Sequence, residues 1–361
     1  DFQKRIWDVM DNEKVIGISA PTSAGKSYVI LMKVIQRLNV EKLDVVYIVP
    51  TLSLLNQVTE DFNNALKLMK INGCKISNTF TPNLEYSENR IYVLTQEKAL
   101  TAFGNEETAF SKKLILIADE IIERIKDDID QRAKILFDTL MEFRYKENVE
   151  QIIISGPRIN EIDKLGTSMF GVQAENVSTK ISPVLNLTYS ICKIDKKYYL
   201  KQYCALKKDP MYKEIENPEI ITGYGKKVYD DNYLEYLNFF VNNVGNNQQN
   251  IIFSPTSTTA RKIACYLSQK SLKESENNEL VQYYSDTIHK NYTMCKTLEK
   301  GIAYHHGKLP MHVRRTLEKA IVEKKVNNVV CTTTLMQGVN MPAQNIIVRN
   351  PHLYLRKTKN T

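Results

Sequence analysis

At 361 residues, with 43% hydrophobic and 25% charged side chains, the chain has the length for two ordinary domains and a composition far from the disordered or collagen-like extremes. Apolar runs such as Leu114–Ala118 fall well short of the ~18 residues of a bilayer span, and the start Asp1-Phe2-Gln3-Lys4-Arg5 has neither Met nor a signal-peptide core, so a trimmed N-terminus, a cytoplasmic location and no membrane partner are expected. The net charge of +8 suits a polyanionic partner, and six dispersed cysteines with no CxxC pair suggest neither a disulfide framework nor a zinc or iron–sulfur cluster.

Taken in chain order, short and nearly all-apolar runs predict strands at Val15–Ile18, Val45–Val49, Ile91–Leu94, Leu114–Ala118 and Ile152–Ile154, then at Ile251–Phe253, Ile302–Tyr304, Val329–Cys331 and Ile346–Val348. Strands apolar on both faces belong to parallel sheets covered by helices. Between them, 3.6-residue spacing over Tyr28–Leu38 and Leu52–Leu66 predicts amphipathic crossover helices. The expected fold is α/β: two doubly wound parallel-sheet domains, the first over residues 1–188 and the second, incomplete at its C-terminal end, over 231–361. From 189 to 230 the alternation gives way to a Lys/Tyr-rich stretch, Lys193 through Tyr212 and on to Lys227, which is expected to be a linker. Interleaved lysine and tyrosine can also grip phosphates and stack on bases, so that second reading stays open.

The segment Ala20-Pro21-Thr22-Ser23-Ala24-Gly25-Lys26-Ser27 follows the first strand and opens a helix. Phosphate binding needs that placement. Gly25 lets successive N–H groups of Thr22, Ser23 and Ala24 turn toward an anion, the helix N-terminus adds its positive dipole end, Lys26 reaches the β/γ-phosphates and Ser27 ligates Mg²⁺. Ala20 stands where the GxxxxGK[ST] pattern has its first glycine. Farther on, the strand Leu114–Ala118 ends in Asp119 and Glu120. A nucleoside triphosphatase needs one carboxylate for the magnesium shell, the role expected of Asp119, and one to orient and deprotonate the attacking water, the role expected of Glu120.

Together these segments resemble a superfamily two helicase of the superkiller-type DExH group, through nearly the whole chain and in the family's order. Phe2-Gln3 looks like the upstream adenine-reading glutamine. The run Val49-Pro50-Thr51-Leu52-Ser53-Leu54-Leu55-Asn56-Gln57 is similar to the PTxxLxxQ segment, and Leu94-Thr95-Gln96-Glu97-Lys98 to the TPEK-type segment. The resemblance implies that Pro50, Thr51, Gln57, Thr95 and Gln96 touch a nucleic-acid backbone. It also implies that Ser155, in Ile154-Ser155-Gly156-Pro157, couples hydrolysis to strand movement, with Pro157 standing where the family has threonine.

In the second half, Phe253-Ser254-Pro255-Thr256 resembles the fourth motif and Tyr304-His305-His306-Gly307-Lys308-Leu309-Pro310 the HHGGLP segment. The run from Cys331 and Thr332 through Gly338-Val339-Asn340-Met341-Pro342 resembles the fifth motif. Ser254 and Thr332 are thereby expected on the nucleic acid, and Gly338 and Asn340 on the nucleotide. The two adjacent histidines are expected to be a structural pair rather than part of a metal site with His312.

The resemblance implies an ATP-dependent helicase or translocase, with ATP and Mg²⁺ as cofactors, in which closure of two RecA-like domains moves a single strand. Backbone gripping does not separate DNA from RNA, although DNA is the favoured track. The family's QxxGRxGR segment is not reached before Thr361, so these 361 residues are expected to bind ATP and to hydrolyse it poorly. An ATP-switched clamp or sensor with little unwinding is the alternative. A small-molecule phosphotransferase leaves the second set of motifs unexplained. The phosphate loop with Asp119-Glu120-Ile121-Ile122 looks like the helicase subunits of bacterial anti-phage systems such as Hachiman, which implies a partner effector subunit.

Overall fold

A strand that is apolar on both faces needs helices above and below it, and the computed structural model shows that layering. It describes residues 1–80, 89–103, 112–120, 131–157, 159–204, 206–216, 221, 229–243, 248–272, 275, 277–336 and 342–349. Two compact units divide the chain, Asp1–Leu187 with Cys204–Lys208, and Thr188–Tyr203 with Asp209–Thr361.

The first unit runs α1 (Phe2–Asn12), β1 (Val15–Ser19), α2 (Lys26–Val40), β2 (Leu43–Val49), α3 (Leu52–Leu68), β3 (Cys74–Ser77), β4 (Asn89–Thr95), α4 (Gln96–Phe103), β5 (Lys113–Ala118), α5 (Gln131–Arg144), β6 (Val149–Gly156), α6 (Ile162–Phe170) and β7 (Glu175–Ser178). Among the described residues its seven strands lie in the order β3-β4-β2-β5-β6-β1-β7, and every pairing is parallel. Alternation along the strands sorts the core. Tyr47, Val49, Ile115 and Ile117 pack with Ile6, Val34 and Phe62 of α1, α2 and α3, whereas Val46, Ile48, Leu114 and Leu116 pack with Ala99, Phe143 and Ile162 of α4, α5 and α6. Each such side chain contributes roughly 1.5–3 kcal/mol when fully buried, so the sheet is where the unit's stability concentrates. Because all seven strands run the same way, the loops after β1, β2, β4, β5 and β6 emerge at one edge.

The second unit carries two sheets. Its parallel sheet has the strand order Ile302–His305, Asn328–Cys331, Asn250–Phe253, Asn345–Ile347, and a smaller antiparallel sheet precedes it in the chain. The smaller sheet comprises β8 (Leu187–Ile194), β9 (Lys197–Cys204) and β10 (Met211–Glu214). The segment expected to be a linker thus forms strands. Its lysines and tyrosines alternate with Leu200 and Gln202 at the strand period, and the two-residue turn Asp195-Lys196 takes positive φ at both positions (47° and 71°), as a tight hairpin requires.

Downstream come α7 (Asp231–Asn243), β11 (Asn250–Phe253), α8 (Ser257–Lys270), α9 (Asn278–Thr287), α10 (Thr293–Leu298), β12 (Ile302–His305), α11 (Met311–Val322), β13 (Asn328–Cys331), α12 (Thr333–Met336) and β14 (Asn345–Ile347). All pairings of this four-stranded sheet are parallel. Among the described residues one core holds Leu237, Ile252, Ile263, Tyr284, Ala303 and Leu317.

Eight of the nine apolar runs lie wholly on strands, and the ninth, Ile346–Val348, runs one residue past the end of β14. The two parallel sheets, each with its helices, have the architecture of two RecA-like domains. Two strands of the first unit carry no apolar run. β3 and β7 are edge strands, half-exposed and rich in Lys75, Ser77, Glu175 and Asn176.

Candidate active site

From β1 the chain continues through Ala20, whose N–H donates to the Gly156 carbonyl at 3.3 Å, and tightens into a 3-10 turn at Thr22–Ala24. Gly25 then takes φ 77°, ψ 22°, the left-handed conformation that side chains disfavour. A Cβ there would also lie 2.5 Å from Gln3 Nε2. Gln3 in turn donates to the Ala24 carbonyl at 3.3 Å, which places the predicted adenine-reading residue against the loop. α1 is held in position by Lys33 of α2, whose ammonium meets Asp11 at 2.6 Å and lies 4.5 Å from the centre of the Trp7 ring. Thr22 and Ser23 are exposed at the tip of the turn.

Lys26 opens α2 with only 1% of its surface exposed. Its ammonium donates to the Ala20 and Pro21 carbonyls at 2.9 and 3.3 Å and stands 3.8 Å from Glu120 Oε1. Asp119, 5% exposed, extends β5 by donating its N–H to the Ile48 carbonyl at 3.0 Å. Three donors converge on its carboxylate: Ser27 Oγ and the Tyr47 hydroxyl each meet Oδ2 at 2.6 Å, and the Glu120 N–H meets Oδ1 at 2.9 Å. Glu120 has φ 55°, a left-handed backbone at a non-glycine residue. Burial raises the Glu120 carboxyl, Asp119 raises it further, and Lys26 opposes both. Burial and then the Asp119 charge hold the Tyr47 hydroxyl well above its ordinary range.

This donor set fits a magnesium-bound nucleotide. A hard dication takes oxygen ligands, and the Ser27 hydroxyl and Asp119 carboxylate are already within hydrogen-bond distance of each other. A phosphate fits beside a buried ammonium whose described hydrogen bonds go to neutral carbonyls, at the N-terminus of a 15-residue helix.

Ser155 lies on β6, the strand between those that deliver Asp119 and the phosphate loop, in register with Ile18. It is fully buried, and its Oγ has no hydrogen-bond partner among the described residues. At the same sheet edge, Thr51 caps α3 by accepting the Leu54 N–H at 3.2 Å, and Gln57 is half-buried on that helix. Thr95 and Gln96 are buried at the end of β4, where Gln96 Nε2 donates to the Arg132 carbonyl at 3.4 Å. Arg132 donates to the Pro50 carbonyl and, at 2.8 Å, to Glu97 Oε1. Burial works against the ionised Glu97, but bonds from its own backbone, Arg132 and Thr95 hold its carboxyl below the usual range. Arg132 thereby ties the loops after β2 and β4 together, and the motif reading missed it.

In the second unit, Ser254, Thr332 and His305 meet at the carboxyl edge of the four-stranded sheet. The Ser254 N–H donates to Cys331 O at 2.8 Å, the Thr332 N–H donates to His305 O at 3.1 Å, and Ser254 Oγ donates to Thr256 O at 3.1 Å. His305, 1% exposed, pairs through Nε2 with Glu318 Oε1 at 3.0 Å, and His306 stacks on Tyr304. Burial, and then His305, lower the His306 pKa. Gly338 and Asn340, expected to face the nucleotide, lie outside the described residues.

Residues 1–165, which contain the phosphate loop and the acidic pair, match the DEAD/DEAH box helicase family. That match spans a little under half of the chain. Over 93% of its length it is 25% identical to the human protein named Helicase POLQ-like, and over 98% it is 24% identical to the ATP-dependent DNA helicase Hel308 of Thermoplasma volcanium. The human U5 small nuclear ribonucleoprotein 200 kDa helicase matches at 24% over 96% of the chain. The aligned parts make up 30%, 47% and 16% of those three proteins respectively.

Proposed function

We propose that this chain is the motor portion of an ATP-dependent nucleic-acid helicase or translocase. The observation that carries the proposal is the convergence of Lys26, Ser27, Asp119 and Glu120 at one sheet edge. In this reading the phosphate loop, Thr22–Ser27, cradles the phosphates, Lys26 holds the β/γ-phosphates, and Gln3 reads the base. Ser27 and Asp119 hold Mg²⁺, which when bound neutralises charge developing on the phosphoryl oxygens. Glu120 orients the attacking water and takes its proton. Gly338 and Asn340 complete the nucleotide contacts in the same reading. Pro50, Thr51, Gln57, Thr95, Gln96, Ser254 and Thr332 hold the backbone of one strand, and Ser155 links hydrolysis to that grip. Pro157 beside Ser155 favours a second reading, a nucleic-acid clamp or sensor switched by ATP.

DNA is the proposed track, in line with the DNA helicase named among the relatives. The superkiller-type assignment, a place in anti-phage defence of the Hachiman kind and an effector partner rest on the sequence resemblance; cells expressing the complete protein with Lys26→Ala should then lose protection.

The test is ATP turnover by the complete protein without polymer and with single-stranded DNA, duplex DNA or single-stranded RNA. Expected is stimulation by one polymer and loss of at least roughly 10²-fold in Lys26→Ala and Glu120→Gln, since positioned acid–base groups contribute about 10²–10⁴. Turnover indifferent to every polymer would overturn the motor. Strand separation assays on the complete protein divide helicase from clamp.

A further inference from the structure

Tyr47 is a buried phenol inside a strand, and the nucleotide reading gives its hydroxyl no task. It lies on β2 in register with Ile117 of β5, so Asp119, two positions beyond, stands on the same side of the sheet. The side chain is 1% exposed and meets Phe62 edge-on, with ring centres 5.8 Å apart. A buried tyrosine hydroxyl needs an acceptor. Here the acceptor is charged: Asp119 Oδ2, the same oxygen that receives Ser27 Oγ.

Two donors on Oδ2 and a backbone N–H on Oδ1 leave the carboxylate little freedom to rotate. The backbone bond cannot supply that restraint alone, because it fixes one oxygen. Ser27 cannot supply it alone either, because its hydroxyl is itself an expected magnesium ligand. Tyr47 comes from a different strand and reaches the carboxylate from within the core, where water does not compete.

We propose that Tyr47 is the positioning residue for Asp119, locking the carboxylate in the orientation that lets it share a magnesium ion with Ser27. The inference rests on the nucleotide reading above. Groups that orient metal ligands from behind typically carry 10- to 100-fold of the metal affinity.

Tyr47→Phe removes one oxygen and keeps the ring against Phe62. The probe is a fluorescent ADP analogue binding to the whole chain, titrated with Mg²⁺ and also measured in chelator. Expected is a roughly tenfold or greater rise in the Mg²⁺ concentration that half-saturates the tightening, with affinity in chelator unchanged. Asp119→Asn combined with Tyr47→Phe should lose no more than Asp119→Asn alone, because the two changes break one unit. Equal Mg²⁺ midpoints in the unaltered chain and Tyr47→Phe would overturn the assignment while leaving the nucleotide reading intact, as would an equal loss in chelator, which marks a merely structural role. Nucleotide binding by the unaltered chain that ignores Mg²⁺ overturns both.

Discussion

Glu120 combines a left-handed backbone, φ 55°, with a carboxyl that burial and Asp119 push above its usual range against the pull of Lys26. A non-glycine residue in that conformation costs about 1–2 kcal/mol, and such strain is kept where the surroundings over-determine it. The raised pKa has a definite sign. In its proposed role as base, Glu120 works only when ionised, so acidification should silence it earlier than an ordinary glutamate. The acid limb of the turnover–pH profile should lie above the usual carboxylate range and be missing from the residual activity of Glu120→Gln. For stability, the folded chain binds this proton more tightly than the unfolded one. The unfavourable contribution is therefore full above the folded pKa and relieved as pH falls through it toward the unfolded value. Denaturant unfolding across that window should show the slope in the unaltered chain and its loss in Glu120→Gln. Lys26, Ser27, Asp119 and Glu120 were legible in sequence because each stands in a motif whose flanking strand and helix are themselves legible. Tyr47 was not, since a tyrosine inside Val45–Val49 reads as core.

At the scale of elements, α6 packs closely on β1. Gly17 permits it: an added Cβ would lie 2.8 Å from Ile162 Cγ2 and 3.1 Å from the Ile162 carbonyl carbon. Gly17→Ala should therefore cost about 1–3 kcal/mol, the range of overpacked cores. The checking measurement is a denaturant titration in which the midpoint falls while the slope holds. The edge strands β3 and β7 escaped the sequence reading because an edge has one neighbour and tolerates polar side chains. The sheet β8–β10 escaped it for a related cause: it has no fully buried position, and Lys201 sits with its ammonium 4.8 Å and 5.2 Å from the ring centres of Tyr203 and Tyr212. Charged and aromatic residues at such a density resemble a solvated connector until the strand alternation is seen.

For the molecule as a whole, the +8 charge and the expectation of backbone contacts lead to one prediction. Affinity for a single strand should fall steeply as salt rises, by counterion release, and change little between base sequences of equal length; fluorescence anisotropy across a salt series checks both. Strong preference for one sequence at constant salt would contradict backbone gripping. Local sequence determined the two parallel sheets, their helices, the tight turn before Lys26 and the placement of Asp119 and Glu120 at a strand end, because apolar periodicity and turn chemistry act over a few residues. Tertiary structure alone decided which distant groups meet: Tyr47 with Asp119 across 72 positions, Ser27 with Asp119 across 92, and Arg132 with Pro50 across 82. Those meetings follow from the strand order β2-β5-β6-β1, which is set by how whole layers pack and leaves no mark on the spacing of residues within any one strand.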